Sequence, residues 1–251
     1  MTAIVTRRSL LIGSGSLLLA GCDKLTTAPQ TLDVLSLGEK ASRSAQRWLV
    51  ADRQALAPEF TRAEMSPVFR VNGSTNPRDA GYVAHAANGF ADWRLLIDGL
   101  VATPMALTLP QLRAAPSRTQ ITRHDCVEGW SAIGQWTGVP LGLLLRRAGL
   151  SSNARYIVFH CADTLLGKPY YESIDLVDAF HPQTILAHSM NGAPLSIGHG
   201  APLRLRVERQ LGYKQAKYVM RIEAVASLAP LHGGKGGFWE DNHNYQWYAG
   251  I

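Results

Sequence analysis

The chain has 251 residues, of which 46% are hydrophobic and 18% are charged, with 23 Gly and 13 Pro. This balance excludes a disordered, collagen-like or coiled-coil protein and is typical of one sizeable globular domain or two small ones. The 3 cysteines are too few for a disulfide scaffold. The formal net charge of +6 would favour nucleic-acid binding only if the cations were concentrated in one patch.

The first 21 residues have the pattern of an export signal. Arg7 and Arg8 precede an apolar run that is too short for a membrane span, which needs about 20 residues. The pattern predicts a twin-arginine signal peptide over residues 1–21. The run ends at Cys22 in a sequence that resembles a bacterial lipobox, whose cysteine is lipidated. The alternative is an ordinary signal peptide followed by a chance cysteine.

Lipidation would attach the mature chain to a membrane. Asp23 follows Cys22, which resembles the signal that retains lipoproteins in the inner membrane of Gram-negative bacteria. We therefore expect a periplasmic protein anchored to the inner membrane through Cys22. Removing Arg7 and Arg8 leaves a net charge of +4 without a run of five like charges, so nucleic-acid binding has little support.

The mature chain is predicted to begin with a tether, residues 22–40, followed by a single domain over residues 41–251. Apolar periodicity and capping signals predict helices near 39–57, after Thr108 and over 141–148. A composition rich in Gly, Pro and Asn predicts a loop over 66–87. Alternating or β-branched stretches predict strands at 93–97, 155–160, 173–176, 202–207 and 218–223. Short strands with few helices predict a mixed α+β fold.

Cys126 lies among ionisable residues that suggest a chemical role. Arg123 and His124 precede it, and cationic neighbours would lower the pKa of its thiol and favour the thiolate. Three interpretations remain open from the residues alone. Cys126 is a metal ligand, a nucleophile assisted by a histidine, or one half of a disulfide with Cys161.

Several blocks of the sequence together resemble the molybdopterin-binding domain of the sulfite oxidase family, in family order, from about residue 66 to residue 251. One block is Cys-Val-Glu-Gly-Trp-Ser at 126–131 with Trp-Thr-Gly-Val-Pro-Leu at 136–141. A second contains His-Gly-Ala-Pro-Leu-Arg at 199–204 and Gly-Tyr-Lys-Gln-Ala-Lys at 212–217. The branch that it resembles most contains the bacterial periplasmic methionine sulfoxide reductase catalytic subunit.

The resemblance implies a molybdenum ion held by one molybdopterin and by one protein thiolate, which would be Cys126. The Cys126–Cys161 disulfide is then disfavoured. Arg204 and Lys217 would contact the anionic end of the cofactor. The cofactor-binding residues that the resemblance implies are Arg70, Val71, Asn72, Cys126, Cys161, His199, Arg204, Gln215, Ala216 and Lys217.

Some positions depart from the family pattern or keep an alternative. Cys161 stands where the reductase has threonine, and it either lines the pterin pocket or is a small buried apolar residue. His199 stands where the reductase has asparagine, and Glu208 where relatives often have proline. The stretch 69–72 resembles a cofactor-binding loop, although an Asn-Gly turn explains it equally well.

The residues after Cys126 bear on the substrate. Sulfite oxidases usually follow the metal-binding cysteine with Gly, Asn and paired arginines, whereas Cys126 is followed by Val127-Glu128-Gly129-Trp130, which disfavours a small dianionic substrate. Glu128 is a candidate catalytic residue for proton transfer if burial raises its pKa, and the alternative is a structural pair with Arg123.

The expected protein is a monomeric catalytic subunit that transfers an oxygen atom to or from a small molecule such as a sulfoxide. No Cys-x-x-Cys-His haem motif is present, so a separate partner, a b-type membrane cytochrome, is expected to exchange electrons with it. The alternatives are a sulfite dehydrogenase and, from another class, a non-catalytic cofactor-binding or assembly lipoprotein.

Overall fold

The computed structural model describes residues 55–251, together with residues 37, 38, 41, 44 and 45. The predicted signal peptide, the lipidation site Cys22 and most of the helix predicted over 39–57 lie outside the described residues. Asp52–Ile251 forms one compact unit. No helix in the described part of the chain combines the length and the apolar character that a membrane crossing requires.

The unit combines short helices with ten strands in two sheets among the described residues. The helices are α1 Ala80–Ala87, α2 Leu109–Ala114, α3 Leu141–Ala148, α4 Leu176–Ala179 and α5 Phe238–His243, with 3-10 turns at Arg62–Glu64 and Gly212–Lys214. The strands are β1 Arg94–Gly99, β2 Met105–Thr108, β3 Arg118–Cys126, β4 Trp130–Pro140, β5 Tyr156–Leu165, β6 Lys168–Asp175, β7 Ile185–Met190, β8 Ala193–Pro194, β9 Arg204–Arg206 and β10 Val219–Val225. The predicted α+β class is confirmed.

The first sheet has the strand order β2-β1-β10-β5-β6, and the second has the order β3-β4-β7-β8 with β9 paired to β7. Only β1 and β10 pair in parallel within this described set. The main apolar core takes residues from both sheets and from α2 and α3. A smaller cluster surrounds Trp136 of β4. The β3–β4 hairpin therefore sits beside its own packed cluster.

Local signals explain the helix ends that the sequence predicts. The Thr108 hydroxyl accepts a hydrogen bond from the Gln111 amide at 3.2 Å and caps α2. Gly149 ends α3 with φ of +69°, a left-handed conformation that glycine adopts without strain.

The loop predicted over residues 66–87 is wrong at its C-terminal end, where α1 forms. The Asp79 carboxylate accepts from the Tyr82 amide at 2.8 Å and starts this helix. Tyr82 is buried, and its hydroxyl donates to the Ala201 carbonyl at 2.7 Å. Long-range packing of Tyr82 thus stabilises α1, which the sequence does not predict because the stretch around it is rich in Gly, Pro and Asn.

Candidate active site

A cleft with about 670 Å³ of empty volume contains much of the predicted site. Its lining is Asn72, Gly73, Ser74, Cys126, Val127, Glu128, Asp163, Leu165, Tyr170, Gly212, Tyr213, Gln215, Lys217, Trp239 and Tyr245. The fold therefore brings together the loop before α1, the β3–β4 turn, the end of β5 and the C-terminal segment.

Cys126 presents its thiol to the cleft from the end of β3. It is 9% exposed and lies opposite Trp130 across the hairpin. Gly129, with φ of +84°, closes the turn and donates its amide to the Cys126 carbonyl at 3.0 Å. The three-residue turn thus leaves the cysteine at the edge of β3, where a ligand in the cleft can reach it.

The expectation that neighbouring cations lower the pKa of Cys126 is wrong. Burial raises the pKa of this thiol. Arg123 donates to Asp125 at 2.9 Å, and burial holds the pKa of His124 well below its ordinary value, so His124 is neutral. A bound metal would have to stabilise the thiolate. Cys126 and Cys161 are both free thiols, so the disulfide alternative is also wrong.

Glu128 lies in the β3–β4 turn beside Cys126. Its carboxylate accepts from Trp130 Nε1 at 3.0 Å and from the Gly73 amide at 3.3 Å. The side chain is exposed, so the burial on which its predicted proton-transfer role depended is not found. The alternative pair with Arg123 is not formed either, because Arg123 binds Asp125 instead. Its position in the cleft remains the argument for a role in proton transfer.

Arg204 of β9 is a fully buried cation with neutral partners. It donates to Asn72 Oδ1 at 3.1 Å and to the His199 carbonyl at 3.4 Å, and its Nε has no partner. Burial, reinforced by nearby Arg206, lowers the pKa of Arg204 to about 9. No carboxylate in residues 55–251 forms a hydrogen bond with it. A buried cation of this kind creates a favourable place for an anion.

Lys217 fastens the loop before α1 to the cleft. Its ammonium donates to the carbonyls of Asn72 at 2.6 Å, Gly198 at 2.9 Å and Ser74. Burial lowers the pKa of Lys217 to about 7, and the Arg204 charge adds to the effect. The predicted phosphate contact would have to compete with these neutral carbonyls. The contact between Lys217 and a phosphate therefore remains a prediction.

Of the two predicted cofactor-binding residues before Lys217, Gln215 lies in the cleft and Ala216 lies in the core. Gln215 lines the cleft, but its amide already donates to the Gly212 carbonyl at 3.1 Å. Ala216 is buried in the main core, and its carbonyl accepts from the Leu205 amide at 2.8 Å. Predicted cofactor contacts through these backbone amides remain untested.

The remaining predicted residues are not among those that line the cleft. His199 Nε2 is 3.2 Å from the Phe69 carbonyl, and burial lowers the pKa of the imidazole. Cys161 packs against the main core and is not among the residues that line the cleft, which favours its interpretation as a small buried residue. Arg70 and Val71 are exposed.

Asp163 is a site residue that the sequence reasoning did not single out. It is 4% exposed and lines the cleft, and Ser74 Oγ donates to its Oδ2 at 2.5 Å. Its Oδ1 has no partner, and burial raises the pKa of the carboxyl group. Its position two residues after Cys161 in β5 was the available signal. Trp239 and Tyr245 of the C-terminal segment also line the cleft, and the sequence assigns them no role.

Residues 80–230 match the family model described as "Oxidoreductase molybdopterin binding domain". A "Putative protein-methionine-sulfoxide reductase subunit YedZ1" from Azospira oryzae is 37% identical over 244 residues, covering 97% of this chain and 86% of that protein. The chain belongs to the molybdopterin-binding oxidoreductase family. The family prediction and the predicted cofactor, molybdenum with molybdopterin, are confirmed, and the protein is an oxidoreductase.

Two further similar proteins match only part of the chain. "Protein-methionine-sulfoxide reductase catalytic subunit MsrP" of Xanthomonas axonopodis pv. citri is 37% identical over 147 residues, which are 54% of this oxidoreductase and 46% of the relative. The sulfane dehydrogenase SoxCD from Paracoccus pantotrophus is a structural neighbour with a TM-score of 0.50 and 26% identity. That match covers 55% of this chain and 39% of the other.

The cleft of the oxidoreductase fits this cofactor on its own chemistry. Cys126 offers a single free thiol at the cleft, which suits a metal whose other sulfur ligands come from the pterin. The unpaired charge of buried Arg204 suits an anionic phosphate, because its guanidinium presents a fork of donors. The free Oδ1 of Asp163 can accept a hydrogen bond from a ring N–H.

Proposed function

We propose that this oxidoreductase is the catalytic subunit of a methionine sulfoxide reductase. The observation that carries the proposal is the 37% identity, over 97% of the chain, to a protein named as a subunit of such a reductase. The charge of the cleft supports it. Lys217 is the one cation among the described residues that line the cleft, and it binds three carbonyls, so a dianion such as sulfite has no free cation to meet there.

The reaction converts a methyl sulfoxide, two electrons and two protons into a thioether and water. The bound cofactor supplies the two-electron redox chemistry. Cys126 would hold the metal at the cleft, while Arg204 would bind the anionic end of the cofactor and Asp163 a ring N–H. Glu128 lies where it can pass protons between solvent and the cleft, because it is exposed and is held by Trp130 Nε1.

The electrons would come from a b-type membrane cytochrome, at the periplasmic face of the inner membrane. The word "subunit" in the name of the similar Azospira protein supports a separate partner. The arginine pair and the lipobox-like sequence ending at Cys22 support export and lipid anchoring. Anchoring would keep the catalytic unit near a membrane-bound electron donor.

The experiment that tests the proposal uses protein matured in a host that makes the cofactor. With a reduced viologen dye as the electron source, the wild type is expected to reduce N-acetylmethionine sulfoxide amide and to contain molybdenum. Cys126→Ser should lose turnover and the metal–thiolate absorption while keeping its circular dichroism spectrum. A wild type that contains molybdenum but reduces no sulfoxide would refute the proposed substrate. A wild type without molybdenum would favour a non-catalytic lipoprotein.

A further inference from the structure

One side of the cleft is formed by aromatic rings. Tyr213, Trp239 and Tyr245, which we call the aromatic wall, all line the cleft. Tyr245 stacks on Trp239 with ring centroids 5.5 Å apart and meets the edge of Tyr213 at 5.1 Å. The three rings therefore form a continuous apolar surface.

The aromatic wall lies next to the strand that carries the predicted metal ligand. Gly212, which precedes Tyr213, packs so closely on β3 that a Cβ there would lie 2.5 Å from the His124 ring. His124 is two residues before Cys126 in that strand. Only glycine permits this approach, which brings the start of the wall beside β3.

Buried ion pairs fix the elements that carry the aromatic wall. Lys214 follows Tyr213, and Glu240 follows Trp239; the Lys214 ammonium donates to Glu240 Oε1 at 2.6 Å and also to Glu172 of β6. All three charged side chains are buried. The ion cluster thus ties together the 3-10 turn and α5, the two elements from which Tyr213 and Trp239 project. A wall fixed in this way is preorganised for binding.

The chemistry of the wall favours a neutral ligand that carries apolar groups. Its three side chains are two tyrosines and one tryptophan, which are uncharged residue types, and Val127, 45% exposed beside Cys126, is a further apolar residue of the cleft lining. Aromatic rings make favourable contacts with sulfur and with methyl groups. The side chain of a methionine sulfoxide residue is neutral and carries a methyl group on its sulfur, whereas sulfite is a dianion without a methyl group.

We propose that Tyr213, Trp239 and Tyr245 form the subsite that binds the methylsulfinylethyl side chain of the substrate. This inference rests on the proposed function and deepens it, because it names the part of the cleft that recognises the sulfoxide arm. Cofactor binding is assigned to other residues, Asp163 in the cleft and buried Arg204, which donates to the cleft residue Asn72. The two roles can therefore be tested separately.

The test replaces the most accessible ring of the wall. Tyr245→Leu in the molybdenum-loaded enzyme is expected to raise KM for N-acetylmethionine sulfoxide amide about tenfold, with kcat changed less than about twofold. Calorimetric titration of the same amide into oxidised enzyme, without reductant, should show a matching rise in Kd. Molybdenum content and the absorption spectrum should stay at wild-type values.

Two control variants accompany it. Tyr245→Phe keeps the ring and should retain the wild-type KM. Phe180→Leu removes a ring that lies outside the cleft and is 37% exposed, against 36% for Tyr245, so it should also leave KM and Kd unchanged. If Tyr245→Leu does not fold, Trp239→Leu is expected to produce the same increases.

The outcomes separate the subsite from the function. If the wild type reduces the sulfoxide but Tyr245→Leu and Trp239→Leu match Phe180→Leu in KM and Kd, the subsite is wrong and the reductase activity stands. If the wild type neither binds nor reduces the sulfoxide, both proposals are wrong. A rise in KM that accompanies a loss of molybdenum would assign the wall to the cofactor instead and overturn the subsite.

Discussion

Two arginines on one short strand show how a single residue's partner decides its role. Arg204 and Arg206 are both fully buried in β9, and both lie over the Trp136 ring, at 5.3 and 4.3 Å. Arg206 forms an ion pair with Glu208 at 2.6 Å, whereas Arg204 bonds only to neutral oxygens. The charge of Arg206 is therefore used by the fold, and that of Arg204 is left for a ligand.

This difference predicts opposite behaviour for two equivalent substitutions. Arg204→Met should leave the cofactor-free protein as stable as the wild type, because it removes an uncompensated buried charge. It should weaken cofactor binding by about 10- to 100-fold, since a hydrogen bond to a charged group contributes about 1.5–3 kcal/mol. Arg206→Met leaves the Glu208 carboxylate buried without its cationic partner and should destabilise the fold by about 3–5 kcal/mol.

Urea unfolding of cofactor-free protein and molybdenum content per chain measure these two effects. Equal molybdenum content in Arg204→Met and wild type would show that Arg204 does not hold the cofactor. Arg155→Lys provides a control, because Arg155 is exposed and donates only to nearby carbonyls of Ser152 and Ala154.

Individual elements are held by buried polar groups as well as by the apolar core. The 3-10 turn Gly212–Lys214, β6 and α5 meet at the ion cluster of Lys214, Glu172 and Glu240. One oxygen of each carboxylate has no hydrogen-bond partner in the described structure. Burial raises the pKa of Glu172 well above its ordinary value, and repulsion from Glu240 adds to the effect. The Lys214 ammonium thus compensates the negative charge of the two buried carboxylates.

Lys214→Met is expected to destabilise the protein by about 3–5 kcal/mol at neutral pH, because two carboxylates are left buried together. A folded-state pKa above the unfolded value means that the folded chain binds the proton more tightly. The stability of the variant should therefore fall as pH rises from about 5 to about 8. Urea unfolding at both pH values tests this, with Arg123→Met as the control for an exposed pair, which is expected to cost about 0–1 kcal/mol. A loss of unfolding free energy below about 1 kcal/mol that does not change with pH would show that Lys214 does not compensate the two carboxylates.

The elements differ in how far the sequence predicts them. The ends of α2 and α3 follow from Thr108 and Gly149, because capping signals are local. Strand β3 gives no apolar alternation, since its buried positions include Gln120, Thr122 and His124. These polar residues are tolerated inside only through distant partners, such as Glu208 for Gln120 at 2.7 Å.

The residues of the site also differ in how far the sequence predicts them. Cys126 and Arg204 stand in motifs that resemble a family, so the sequence identifies them. Asp163 and Tyr245 come from separate stretches that meet only in the folded cleft. The sequence assigns neither of them a role, and their positions in the cleft are what identify them.

On the scale of the whole molecule, catalysis and location are predicted to reside in separate parts of the chain. The cleft lies within Asp52–Ile251, whereas the proposed lipid anchor is Cys22, outside the described residues. Cys22→Ser should therefore release the protein from the membrane fraction without changing dye-coupled turnover. It should lower turnover driven by the membrane electron donor, because the proximity of the two partners is lost. Fractionation followed by both assays measures this, and a variant that remains in the membrane would contradict lipidation at Cys22.

The central claim is that the cleft of this molybdopterin-binding oxidoreductase reduces a neutral sulfoxide. The most direct measurement compares two reactions of the molybdenum-loaded wild type, reduction of N-acetylmethionine sulfoxide amide by a reduced dye and oxidation of sulfite by an oxidised dye. The account predicts a kcat/KM for the sulfoxide that clearly exceeds the value for sulfite, with both activities lost in Cys126→Ser. Efficient sulfite oxidation with no sulfoxide reduction would contradict it.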